Sequence, residues 1–178
     1  MHRPFVRPAT PADIAAITAI YCPAVLHGTA SFEIDAPDEA EMRRRYDAIV
    51  AAGYPIIVAE LDGRVAGYAY ANAYRPRPAY RYSVEDSIYV ATEAQRQGVG
   101  RALLAALIDA TTAIGCRQMI AVIGDSDQPG SIGLHTLFGF THCGVIRAVG
   151  FKHGRWLDSV IMQRALGDGS NCSPPTPR

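Results

Sequence analysis

The apolar positions change period several times along the chain, and each change marks an element. Phe5-Val6-Arg7 is a short alternating run that predicts a strand. Thr10-Pro11-Ala12-Asp13 supplies a capping hydroxyl, a first-turn proline and an acid just ahead of Ile14, Ile17, Ile20 and Tyr21. That spacing predicts a helix from Pro11 to Leu26. A polar stretch from His27 to Asp38 precedes a second predicted helix, Glu39 to Ala52, which Gly53 ends and Pro55 cannot continue. Ile56 to Leu61 and Val65 to Asn72 flank Asp62-Gly63, a strong two-residue turn signal, so they predict an antiparallel hairpin.

Further on, Tyr74 to Tyr82 holds prolines at 76 and 78 and arginines at 75, 77 and 81, which predicts a loop, and Ser83 to Val90 resumes strand character. A glycine-containing segment, Gln95 to Gly100, leads into an Ala/Leu-rich helix from Arg101 to Ile114, closed by Gly115. The continuous apolar run Met119 to Ile123 predicts a strand buried on both faces. A loop from Gly124 to Gly130, a short helix from Ser131 to Phe138 and strands near Cys143 to Phe151 and Asp158 to Gln163 complete the series. The order β-α-α-β-β-β-α-β-α-β-β predicts a mixed α/β layer structure with helices on both faces of one sheet. Residues 1–166 read as a single domain, and the Pro-, Ser- and Gly-rich residues 167–178 as a tail that cannot bury enough to order itself.

Composition narrows the class. The 17 Lys and Arg balance the 17 Asp and Glu, so no global field draws the protein to nucleic acid or an anionic membrane, and any anion must be held by a local site. Cys22, Cys116, Cys143 and Cys172 are scattered, without the paired spacing of a metal site, and read as reduced thiols. The first residues lack the apolar run of a signal peptide, and no stretch reaches the roughly 18 apolar residues of a membrane span, so a soluble, cytoplasmic protein is expected.

The most informative residues are Gln95-Arg96-Gln97-Gly98-Val99-Gly100-Arg101, between a predicted strand and a predicted helix. Glycines at 98 and 100 let backbone approach a ligand closely, and the helix start that follows presents unpaired N–H groups, a cradle suited to a pyrophosphate. A Walker loop is excluded by the missing Gly-Lys-Ser/Thr and a dinucleotide fingerprint by the missing third glycine. A turn that merely starts a helix has the same spacing.

Arg/Gln-x-x-Gly-x-Gly in this position resembles the acyl-CoA-binding motif of the GNAT acetyltransferase superfamily. Val84-Glu85-Asp86-Ser87-Ile88-Tyr89-Val90, Ala121-Val122-Ile123-Gly124, Leu134-His135-x-x-x-Gly139-Phe140 and Gly150-Phe151-Lys152-His153-Gly154-x-Trp156-x-Asp158 are similar to its phosphinothricin acetyltransferase group, whose relatives act on methionine sulfone and methionine sulfoximine. The resemblance extends from Val6 to Leu166 and implies a mostly antiparallel GNAT-type sheet, acetyl-CoA as co-substrate, no metal and a homodimer. It places the pantetheine arm on Ile88, Tyr89 and Val90, and the pyrophosphate on Arg96, Gln97, Gly98, Val99, Gly100 and Arg101. Gln128 stands where the family often has a cofactor-contacting asparagine, in a loop one residue longer.

The same resemblance makes Glu85 the general base, a role the reaction needs because an α-amino group is mostly protonated at neutral pH. Taken alone, a strand glutamate is usually a solvated face residue. The resemblance makes His135 a proton relay or a donor to the departing thiolate, where helical spacing alone favours a hydrogen-bonded core histidine. The Val90 N–H becomes an oxyanion donor. Arg75, Arg77, Tyr80 and Arg81 precede Glu85 and suit an anionic substrate, since arginine clamps carboxylates through paired donors; an exposed basic loop reads the same way. Phe32 and Trp156 are pocket walls by resemblance, or core by composition. The enzyme alternatives are acetylation of protein N-termini or lysines; outside enzymes, a non-catalytic acyl-CoA-binding module stands against the presence of Glu85.

Overall fold

Strands β1 (Phe5–Pro8), β2 (Ile56–Leu61), β3 (Arg64–Ala73), β4 (Ser83–Val90), β5 (Gln118–Gly124), β6 (Thr141–Lys152) and β7 (Arg155–Ala165) make one sheet in the order β1-β2-β3-β4-β5-β7-β6. The computed structural model describes residues 3–174. Helices α1 (Ile14–His27) and α2 (Glu39–Ala51) cover one face; α3 (Val99–Ala113) packs on the other, and α4 (Pro129–Leu137) follows β5. Every strand contact is antiparallel except β4 with β5, as the resemblance implies.

Strand alternation decides which residues each face receives. Ile56 and Val58 of β2 and Tyr68 of β3 turn toward α1 and α2, packing with Ile14, Ile17, Tyr21, Met42 and Ile49. Ile57, Ala59, Ala69, Ala71 and Val84 turn the other way, under Leu103, Leu104, Leu107 and Ile108 of α3. Small alanines beneath those leucines let the helix lie close to the sheet.

Several boundaries differ from the pattern for local reasons. The first helix opens as a separate 3-10 turn, Pro11–Asp13, tightened because Asp13 Oδ2 accepts from Thr10 N at 2.7 Å and Thr10 Oγ1 at 2.9 Å. Arg7 donates to both Asp13 oxygens at 2.8 Å, ties β1 to that turn and holds the Asp13 carboxyl at about 2. Helix α3 starts at Val99, two residues before the expected Arg101, because Gly98 serves as its cap. Strands β6 and β7 run longer than predicted up to a tight hairpin at His153 and Gly154, both with positive φ. Strand β5 is not buried on both faces throughout: Val122 is 37% exposed, because β4 no longer runs beside it. The tail runs partly outside the described residues, at 175–178, as do Met1 and His2; residues 167–172 form turns, and Asp168 pairs with Arg117 at 3.0 Å.

Gly67 on β3 is the tightest point between sheet and α3. A Cβ there meets the Tyr89 carbonyl oxygen at 2.9 Å, Val99 Cγ1 at 2.9 Å and Leu103 Cδ1 at 3.1 Å. The carbonyl belongs to a paired strand and cannot yield. Gly67→Ala is therefore expected to destabilise the fold by about 1–3 kcal/mol, read from the midpoint and slope of urea unfolding. An unchanged midpoint would show that α3 slides without cost.

Candidate active site

The sheet splits in its middle. Strands β4 and β5 pair only from Ser83 with Gln118 to Asp86 with Ala121. Beyond that, β4 stays with β3 as far as Val90 and β5 stays with β7 as far as Gly124, so the two strands diverge. Ala91 N donates to Ala66 O at 2.9 Å, and that register makes Tyr89 face Tyr68 with its backbone groups paired. Ile88 and Val90 consequently turn their N–H and C=O groups into the gap. Of the three residues expected on this edge, Tyr89 has its backbone committed to β3, and its ring packs against Tyr68 at 5.3 Å and Tyr21 at 4.8 Å.

The gap is a cleft of about 590 Å³ lined by strand ends, the first turn of α3, and Gln128, Leu134 and His135. At its mouth Arg96 and Gly98 both hold left-handed backbone, with φ 60° and 84°. A non-glycine residue there costs about 1–2 kcal/mol. Such strain accompanies ligand clamps, and successive N–H groups in this geometry form an anion-binding concavity. Gly98 caps α3, and the N–H groups that follow it have no intrahelical partner. Among the residues expected here, Arg96, Gly98, Gly100 and Arg101 line the cleft. Gln97 turns its amide out to Glu93 O at 2.7 Å, and Val99 is buried against the sheet, so both offer backbone only.

Asp86 closes the apex of the fork. Its Oδ2 lies 3.0 Å from His135 Nε2, and His135 Nδ1 lies 2.8 Å from the Ser131 carbonyl oxygen. The carbonyl only accepts, so Nδ1 carries a proton, and the ring in its protonated form donates at both ends, to Ser131 O and to the Asp86 carboxylate. Burial opposes that charge, while Asp86, helped by Ser131, raises the His135 pKa above its ordinary 6.5. The ring also stands edge-on to Phe140 at 4.9 Å. His135 is thus both buried and bonded, with no ring nitrogen left for the cleft. Asp86, which sequence reasoning passed over, lies next to Glu85 and was masked by it.

Alternation sends Glu85 to the opposite face, with Ser87 and Tyr89. It is half-buried and lies beside Asn72 in register. Burial raises its pKa, as does neighbouring Asp86, and Arg75 opposes them. On this face a second cavity of about 360 Å³ is lined by Tyr21, Arg45, Tyr68, Tyr70, Asn72 and apolar residues of α1 and α2. Tyr89, stacked on Tyr68 and met edge-on by Tyr21, stands with them between the two cavities.

The remaining expected residues lie farther out. Arg75 and Arg81 stack on Tyr74 and Tyr82 at 5.1 and 4.8 Å, and Tyr80 leans edge-on against Tyr74. With Arg77 they stay exposed on the loop before β4 and line neither cavity. Phe32 lies against Gly124 and Gly150, where a Cβ comes within 2.9 and 2.4 Å of its ring. Trp156 is 64% exposed on the β6–β7 hairpin, edge-on to Phe151, and is neither core nor cleft wall in a single chain. Gln128 lines the cleft but gives its amide to Thr29 Oγ1 at 3.0 Å. That bond is one of several fixing residues 28–33: Lys152 Nζ donates to Ser31 O at 2.6 Å, and Tyr21 OH donates to Glu33 at 2.8 Å. Among the described residues no three His, Cys, Asp or Glu side chains gather into a metal-holding group.

A sheet opened between two parallel strands, with free backbone along one edge and an anion cradle at its mouth, defines an enzyme fold that holds a long phosphate-bearing donor across the sheet. Residues 22–140 match the Acetyltransferase (GNAT) family. The phosphinothricin N-acetyltransferase of Alcaligenes faecalis is 52% identical over 162 residues, 91% of this chain and 82% of its own. The L-methionine sulfoximine/L-methionine sulfone acetyltransferase of Salmonella typhimurium is 42% identical over 163 residues, 92% of this chain and 95% of its own. The crystal structure of a GNAT superfamily phosphinothricin acetyltransferase from Sinorhizobium meliloti, in complex with AcCoA, is 50% identical with a TM-score of 0.95, covering 98% of this chain and 94% of that one. The chain belongs to the GNAT family and is an N-acetyltransferase.

The imidazolium has a consequence for stability. Its folded pKa lies above the unfolded value of 6.5, so its contribution is fully present below about pH 6.5 and is lost as pH rises through the folded value. Urea unfolding from pH 6 to 9 is expected to show the wild type losing stability on the alkaline side. Asp86→Asn removes the cause of the raised pKa and flattens that slope; parallel curves would contradict the ion pair.

Proposed function

We propose that this enzyme takes the acetyl group of acetyl-CoA and transfers it directly to the amino group of a small anionic amino-acid analogue, of the phosphinothricin, methionine sulfone or methionine sulfoximine type, with Glu85 as general base. The observation that carries this reading is the position of Glu85: half-buried, with a raised pKa, one residue before the strands part and on the face opposite Asp86. The names of the relatives support the substrate class.

The residues present fit acetyl-CoA. Ile88 and Val90 offer free backbone groups in the gap, and the start of α3 with left-handed Arg96 and Gly98 offers N–H groups for the diphosphate. Acetyl-CoA supplies an activated acetyl thioester. Glu85 takes the proton that makes the amine nucleophilic, and a raised pKa brings its basicity closer to that task. The Val90 N–H, pointing into the gap, is placed to donate to the developing oxyanion. Arg75, Arg77 and Arg81 on the loop ahead of Glu85 recognise the acceptor's anionic group, with Tyr80 among them. Phe32 walls the acceptor side.

The reading extends to a homodimer. Strand β6 is the sheet's edge, and Ile146, Val149, Phe151 and Trp156 are each at least half exposed on it or its hairpin. Such an edge invites pairing, and covering it places Trp156 at a boundary between subunits, where it becomes a pocket wall. A cytoplasmic location accords with the four cysteines, all unpaired. Light scattering is expected to give twice the mass of the chain, and Ile146→Lys with Val149→Lys to shift the particle to a monomer. A wild-type monomer at micromolar concentration would remove this part of the reading.

The function itself is tested with Glu85→Gln. Turnover at neutral pH should fall about a hundredfold or more, within the usual range for lost general-base catalysis. Part of the deficit should return between roughly pH 7 and 9.5 as the free amine titrates. Acetyl-CoA affinity stays unchanged. A panel of phosphinothricin, methionine sulfone, methionine sulfoximine and an N-terminal peptide, followed by thiol release, tests the substrate class; preference for the peptide would overturn it. Near-wild-type turnover of folded Glu85→Gln at pH 7 would remove Glu85 as the base.

A further inference from the structure

Asp86 Oδ1 is a buried side-chain atom without a hydrogen-bond partner among the described residues. Leaving such an acceptor unsatisfied is expensive, the more so on a carboxylate. The residue is not loosely held. Its backbone is the last of β4 to pair with β5, its other oxygen is 3.0 Å from His135 Nε2, and its side chain is 2% exposed. His135 is in turn anchored through Nδ1 to Ser131 O and braced by Phe140. A rigid carboxylate therefore stands at the apex of the cleft, lining it together with Ser87, Ile88 and His135, with one oxygen spoken for and the other idle.

We infer that Asp86 is a further donor-positioning residue, whose Oδ1 accepts a hydrogen bond from an amide N–H of the acyl donor's arm. This rests on the acetyl-CoA reading of the cleft and not on Glu85. The chemistry selects the partner. The diphosphate end of the donor carries oxygen acceptors and negative charge, which Asp86 repels; the arm between diphosphate and thioester carries two amide N–H donors. Backbone groups of Ile88 and Val90 fix the arm's line along β4, and a charged acceptor at the apex fixes how deep it seats. His135 acts through Asp86: its positive charge compensates the carboxylate, and its bond leaves Oδ1 directed away from the ring. The one buried histidine of the helix then has a reason to be doubly bonded, which a proton donor to the cleft does not.

The test is calorimetric binding of two ligands to the intact protein: coenzyme A, and adenosine 3′,5′-bisphosphate, which lacks the arm. Asp86→Ala removes the acceptor, and Asp86→Asn retains an acceptor oxygen without charge while its amide donates to neutral His135. Coenzyme A affinity is expected to fall about tenfold or more in Asp86→Ala and about fivefold in Asp86→Asn, the range for a lost or discharged hydrogen bond to a charged group. Affinity for the bisphosphate should be unchanged in both, which also shows that the cradle is folded. If Asp86→Ala does not fold, Asp86→Asn decides alone. An unchanged ratio of the two affinities in a folded variant, including parallel loss of both ligands, overturns the inference. If the wild type binds neither ligand, the acetyl-CoA reading falls first and this inference with it.

Discussion

The parting of β4 from β5 after Asp86 and Ala121 is the constraint on which the rest of the site depends. Each strand remains bonded on its other side, β4 to β3 and β5 to β7, so neither can swing back to satisfy the groups exposed between them. Buried backbone donors and acceptors need partners. The N–H and C=O groups of Ile88 and Val90 therefore stay open to the cleft, where solvent or an extended ligand supplies their partners. The helix that follows β4 starts at the mouth of the same gap, so backbone edge and anion cradle come from one continuous segment, Ser83 to Arg101.

Two adjacent carboxylates acquire different duties from that geometry. Glu85 and Asp86 are neighbours in sequence but point to opposite faces of the sheet. Asp86 meets a histidine and loses its freedom; Glu85 meets no cation closer than the field of Arg75 and has its pKa raised by burial. In a chain with no net charge, such local arrangements carry all the electrostatics. The buried ion pair is held at one end by the His135 Nδ1 bond to Ser131 O and at the other by the backbone of β4, and a pair with one partner removed leaves an uncompensated charge. That couples the integrity of the apex to the placement of α4.

Much of this was legible in the sequence. The order of elements, the Asp62-Gly63 turn and the Gly98 and Gly100 cradle follow from period changes and glycine placement, which are local signals. His-Gly is a weaker turn signal than Asn-Gly or Asp-Gly, so the His153-Gly154 hairpin was not read from the sequence and β6 and β7 were predicted too short. Reading three consecutive residues, Ile88 to Val90, as one binding edge ignored the alternation of an antiparallel ladder, which commits Tyr89 to β3. The role of His135 was open because helical spacing shows that a side chain faces inward but not what it meets. Its partner Asp86 lies 49 residues away.

That difference in range explains why the reaction is easier to read than its acceptor. On the proposed reading the donor side is built from one stretch of chain, whereas the acceptor wall is assembled from segments that meet only in the fold. Phe32 rests on Gly124 and Gly150, Ser31 is held by Lys152, Thr29 by Gln128, and Glu33 by Tyr21 and Arg45. Lys152 is buried, with its pKa lowered by that burial, so its bond to Ser31 O is retained at a cost in solvation that a merely structural surface loop does not require. Residues 28–33 are thus positioned from four separate parts of the chain. Under the proposed function, a substitution at any of those anchors shifts Phe32 relative to Glu85 without touching either, and selectivity for one small amine over another rests on that relative placement rather than on a motif.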